Sequence, residues 1–188
     1  GRIPAAHPYR RAIETVQVQY GRNFYPGSPQ IARTLLRPDD RVHLMELHPQ
    51  EHAALRRAMH GRDVHIHRRD GYEGVIAISP PTPRRGLVLI DPSFEIKTEY
   101  AQVTDFVIAL HRKWPQAVIM LWYPLLGAGL YEGMARDLGA AGLPAFLRRE
   151  VRFDGVGERV GMFGSGLIMI NTPYGVTPAI DADEALVY

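Results

Sequence analysis

The sequence predicts an α/β architecture built on a mostly parallel, doubly wound sheet. Strand-like apolar runs alternate with helical patterns along the chain. The runs are nearly continuous in apolar residues, which suits strands covered on both faces. The chain has 188 residues and a 46% hydrophobic share, enough for one core and one domain over 1–188.

Each element has its own signal. Residues 41-RVHLMELH-48 read as a strand and 50-QEHAALRRAMHG-61 as a helix ended by a glycine. Residues 63-DVHIHRRD-70 alternate as a strand, and 71-GYEGVIAI-78 makes a short helix. Strand 86-GLVLID-91 leads to the amphipathic helix 99-EYAQVTDFVIALHRKW-114, which Pro115 closes. Strand 116-QAVIMLWY-123 and helix 128-AGLYEGMARDLGAAG-142 follow. The last strands, 144-PAFLRREVRF-153 and 166-GLIMINTP-173, are joined by too few residues for a crossover. They pair antiparallel, so one strand near the C-terminus runs against the rest.

Bulk composition excludes several classes. There is no cysteine, hence no disulfide and no thiolate metal site. The longest apolar stretch, 117-AVIMLWYPLLGAGL-130, is too short for a membrane span and is broken by Pro124. With no targeting signal in view, cytoplasm is the expected compartment. The net charge is +2, and arginines recur in pairs: Arg10-Arg11, Arg56-Arg57, Arg68-Arg69, Arg84-Arg85 and Arg148-Arg149. Genome composition and a solvated surface account for this; the pattern permits a nucleic-acid partner without demanding one.

In such sheets ligands bind outside the carboxyl ends of the strands. Four predicted ends are polar: Glu46 with His48, Asp70, Asp91 and Asn171. Any single acid there is more often a helix cap. Glu46 can accept from a ribose diol, and Asp70, before Gly71, from an adenine amine. Asp91-Pro92-Ser93-Phe94 suits the activation of an exocyclic amine. Such an amine is a poor nucleophile because its lone pair is delocalised into the ring. An aspartate oxygen and the preorganised carbonyl of Pro92 accept its two hydrogens, and Phe94 offers a stacking face. The alternative reading is an ordinary strand-terminal turn.

Two motifs are set aside. Residues 48-HPQEH-52 match an inverted zinc-protease pattern, but Pro49 suits the first helical position and leaves His48 outside the helix. Residues 127-GAGLYEG-133 place the third glycine of a dinucleotide loop one position late and mark a helix start. His65 and His67 are expected on opposite sides of their strand, and no metal site is expected.

Segments 25-YPGSP-29, 46-ELHP-49, 84-RRGLVLIDPSFE-95, 122-WYP-124 and 164-GSGLIMINTP-173 occur in this order. Together they resemble the bacterial ribosomal RNA large-subunit methyltransferase J family, also labelled as involved in use of external DNA as a nutrient. The resemblance implies a Rossmann-like, S-adenosylmethionine-dependent methyltransferase. It implies N6-methylation of an adenine in protein-free 23S rRNA by a monomer, with no membrane partner. It assigns Ser28, Glu46, Asp70, Gly71 and Asp91 to the cofactor, and Asp91, Pro92 and Phe94 to catalysis. The family usually has Asp-Pro-Pro-Tyr where this chain has Asp-Pro-Ser-Phe. The family's first strand and glycine-rich cofactor loop are not found; the chain opens on what looks like the helix after that loop. A longer natural gene product is therefore expected, with no regular pairing between the strands that end at Glu46 and Asp91. The competing classes are a non-catalytic nucleic-acid-binding protein and a small-molecule methyltransferase.

Overall fold

The computed structural model describes residues 3–153 and 161–179. Its described residues form two compact units, one over 3–77 and one from 78 to 179. The predicted helix near the start is α1 (Pro8–Tyr20), with Pro8 in its first turn and the His7 ring accepting from the Tyr9 N–H at 3.2 Å. Its buried Ala12 and Val16 are four residues apart and share one face. α1 packs on α2 (Ser28–Leu35). No helix was expected here from the sequence. Gly27 caps it, and Pro29 supplies a φ already set for its first turn.

β1 (Val42–Met45), α3 (Pro49–Ala58) and β2 (Val64–His67) form a parallel crossover. The register runs from Val42 opposite Val64 to Met45 opposite His67. His48 caps α3 from outside, as expected. α4 (Gly71–Ile78) follows β2.

The second unit contains β3 (Leu87–Ile90), α5 (Glu99–Lys113), β4 (Val118–Leu126), α6 (Leu130–Ala140), β5 (Leu147–Arg152) and β6 (Met162–Ile170). Its strand order is β3-β4-β6-β5. β3 and β4 are parallel, and β6 runs antiparallel to both its neighbours. This is the predicted sheet with one reversed strand; much of the β5–β6 connection, 154–160, lies outside the described residues.

The core follows from strand alternation. Ile119, Leu121, Tyr123 and Leu125 point to one face of β4 and are fully buried, as are Ile168 and Ile170 of β6. α6 packs on β4 through Tyr131, whose ring lies 5.9 Å from that of Tyr123, and α5 packs on α6. The other face of β3 carries Leu87 and Leu89 at 55% and 44% exposure. Among the described residues β1 pairs with β2 and β3 with β4.

Candidate functional site

In the first unit, Glu46 directly follows β1. Its N–H extends the ladder to the His67 carbonyl at 3.0 Å, and its Oε1 accepts from the His48 N–H at 2.8 Å. Asp70 caps α4: its Oδ1 accepts from the Glu73 N–H at 3.0 Å, and its carbonyl from Gly74 at 2.9 Å. Gly71 opens the same helix. Because β1 and β2 are parallel and in register, Glu46, Asp70 and Gly71 share one end of the sheet. Each carboxylate spends one oxygen on shaping the backbone, so the capping role and a ligand role are compatible. Ser28 is the exposed first residue of α2.

In the second unit, Asp91 follows β3, and partial burial raises its carboxyl above the ordinary value. Phe94 has a left-handed backbone (φ 52°), is 5% exposed, and packs on Tyr100 with ring centroids 4.6 Å apart. Its expected stacking face is thus turned to Tyr100. Glu99, which the sequence reading passed over, holds this turn. Its Oε2 accepts from the Phe94 N–H at 2.6 Å and lies 3.4 Å from the Ser93 hydroxyl. That bond offsets the cost of a non-glycine residue in this region.

Two expectations need correction. Asn171 does end a strand, but that strand is the reversed one. Its side-chain amide donates to the carbonyls of Pro115 at 2.7 Å and Ala117 at 2.8 Å, near the start of β4. It therefore lies toward the opposite end of the strands from Asp91 and ties the end of β6 to the start of β4. His65 and His67 were expected on opposite sides, yet residues two apart in a strand share a face. The His43 ring stacks on both, at 4.7 and 5.4 Å, and His43 Nδ1 lies 3.1 Å from His67 Nε2. Among the described residues no cluster of three or more ligands is arranged for a metal.

The histidine cluster gives a pH prediction. Burial, then the charges of His65, His67 and Arg41, hold His43 below its ordinary value. The neutral ring is favoured in the folded state. Its contribution is full above the unfolded pKa of about 6.5 and is lost as pH falls through the lowered folded value. Urea midpoints measured from pH 7.5 to 5 should fall with acid, and less steeply in His43→Gln.

A network on β4, β6 and β5 was not legible in advance. The fully buried Tyr123 donates its hydroxyl to Glu150 Oε1 at 2.7 Å, and Arg148 Nε donates to the Tyr123 oxygen at 3.1 Å and to Glu150 Oε1 at 2.9 Å. Burial, then the bond to Glu150, pushes the Tyr123 phenol far up. Two surface cavities are outlined by residues elsewhere: about 420 Å³ at Ala145–Leu147 and Thr172–Pro178, and about 430 Å³ at Tyr20–Phe24. Among the described residues no helix is long and apolar enough to cross a membrane.

Known proteins resemble this chain along most of its length. It is 38% identical over 152 residues to ribosomal RNA large subunit methyltransferase J of Escherichia coli strain K12, covering 80% of this chain and 54% of that protein. It is 34% identical over 152 residues to the protein of the same name from Haemophilus influenzae, with the same shares covered. A crystal structure of a Legionella pneumophila protein superposes with a TM-score of 0.90 at 30% identity, covering 99% of this chain and 70% of that one. The chain spans about half the length of the curated relatives it matches. The family model described as ribosomal RNA large subunit methyltransferase D, RlmJ, matches residues 3–186, and the chain belongs to that family.

Proposed function

We propose that the gene product is an S-adenosylmethionine-dependent methyltransferase acting on N6 of an adenine in 23S rRNA. The observation that carries this is the pair of carboxylates, Glu46 and Asp70, at one end of a parallel strand pair, each with one oxygen already fixed by backbone. Such acceptors fit the ribose diol and the exocyclic amine of a nucleoside cofactor. Ser28 and Gly71 would complete that side. When bound, the cofactor supplies an activated methyl group.

Asp91 and Pro92 are the proposed acceptors for the target amine. Drawing the amine's two hydrogens toward a carboxylate oxygen and a carbonyl restores the nitrogen lone pair. The family resemblance implies a role for Asp91 toward the cofactor as well as the target. Phe94 serves as the aromatic of this site by anchoring the turn on Tyr100; stacking on the base requires that turn to open. Names of the relatives support RNA as the substrate, and family membership supports methyl transfer.

The test is isothermal titration of S-adenosylmethionine into the gene product at its natural length, with mass mapping of rRNA from a strain lacking the gene. No cofactor binding would leave the non-catalytic nucleic-acid-binding reading. Glu46→Ala should weaken cofactor affinity about tenfold or more, since a charge-assisted bond contributes roughly 1.5–3 kcal/mol. Glu46→Gln keeps the acceptor for the His48 N–H and should retain more affinity. Unchanged affinity in Glu46→Ala would remove the ribose assignment.

A further inference from the structure

We propose that the end of α1 and the turn after it form a nucleobase-binding groove for unpaired RNA, apart from the strand-end residues. This rests on the RNA reading above and extends it. α1 stops at Gly21, whose φ of 109° is open to glycine, and the Phe24 N–H bonds the Gly21 carbonyl at 3.0 Å. The turn returns Phe24 to Tyr20, and the two rings stack with centroids 5.2 Å apart at 30°. They line a shallow, open hollow of about 430 Å³ together with Gly21, Arg22 and Asn23.

Large rings are normally buried, yet Tyr20 is 46% and Phe24 43% exposed, and the adjoining Tyr25 is 65% exposed. The walls contain no acid, and Arg22 gives them a positive charge. Aromatic faces, a cation for phosphate and an amide for base edges are the parts of a single-strand binding site. A protein partner would use the rings without needing the charge, so RNA is the better-matched occupant. Phe24 is four residues from Ser28, so the groove lies within about 14 Å of that proposed cofactor contact along the chain.

The experiment uses the gene product at its natural length and a fluorescein-labelled single-stranded rA12, read by anisotropy. Tyr20→Leu/Phe24→Leu keeps apolar volume and removes the π faces. It should weaken binding about tenfold or more, with an unchanged melting temperature. Arg22→Gln should reduce the slope of log K against log salt by about 0.7. Binding within twofold of the parent in the folded double variant overturns the groove. If that variant instead changes the oligomeric state in sedimentation, the rings serve a protein contact and the proposal also fails. Methyl transfer by the parent alongside either result leaves the enzyme reading standing. A parent that neither binds rA12 nor methylates rRNA removes both.

Discussion

Asp91→Ala will lower methyl transfer about 100- to 1,000-fold while leaving cofactor affinity within a few fold. The magnitude is that of removing one preorganised electrostatic partner of the reacting group. The split follows because this acceptor acts most strongly as the amine becomes nucleophilic, so its loss appears in kcat and not in binding. Asp91→Asn gives the sharper comparison. Partial burial raises the Asp91 carboxyl, so the folded state favours its neutral form. That preference stabilises the fold below the unfolded pKa, and the contribution is lost as pH rises through the folded value. The ionised form of Asp91 is therefore a cost to the fold. Asp91→Asn should be inactive yet melt no lower than the parent at pH 7. Equal loss of cofactor binding, or a clear drop in melting temperature, would make Asp91 structural.

Local signals were legible where local chemistry decides the structure. Pro49 and His48 set the start of α3, and Asp70 before Gly71 set the start of α4. Glu46, Asp70 and Asp91 were nominated from sequence because an apolar run rarely finishes on an acid without a reason, and the structure places each just after a strand. The misses have different causes. Asn171 carried the same end-of-strand signal, but chain direction within the sheet reversed its meaning. α2 was hidden because Pro-Gly-Ser-Pro resembles a turn, although proline in a first turn is also a helix signal. His65 and His67 were misplaced by ignoring the two-residue period of a strand. Glu99 was passed over because its function is set by reach across five residues to the Phe94 N–H, which no spacing rule announces.

The least legible feature carries the second large effect. Tyr123, Gly166 and Glu150 stand in one row across β4, β6 and β5. Directly opposed residues place their side chains on the same face. The Tyr123 ring crosses the middle strand to reach Glu150, and it does so over Gly166. A Cβ at Gly166 would lie 2.1 Å from the ring, inside any tolerable contact. Tyr123 is fully buried beside Tyr131, so moving its ring disturbs packed neighbours. Gly166→Ala should therefore displace the ring and break its bond to Glu150 together. Overpacking, at about 1–3 kcal/mol, and the lost hydroxyl bond, at about 1 kcal/mol, together cost about 2–4 kcal/mol. Tyr123→Phe removes only the hydroxyl and should cost about 1 kcal/mol, because Glu150 keeps Arg148 at its side. If the clash is the cause, Tyr123→Leu should partly rescue Gly166→Ala, and the double variant will be more stable than the sum of the single losses. Urea unfolding of the four proteins decides it. A Gly166→Ala protein as stable as the parent would mean that the ring does not lie across β6 in solution.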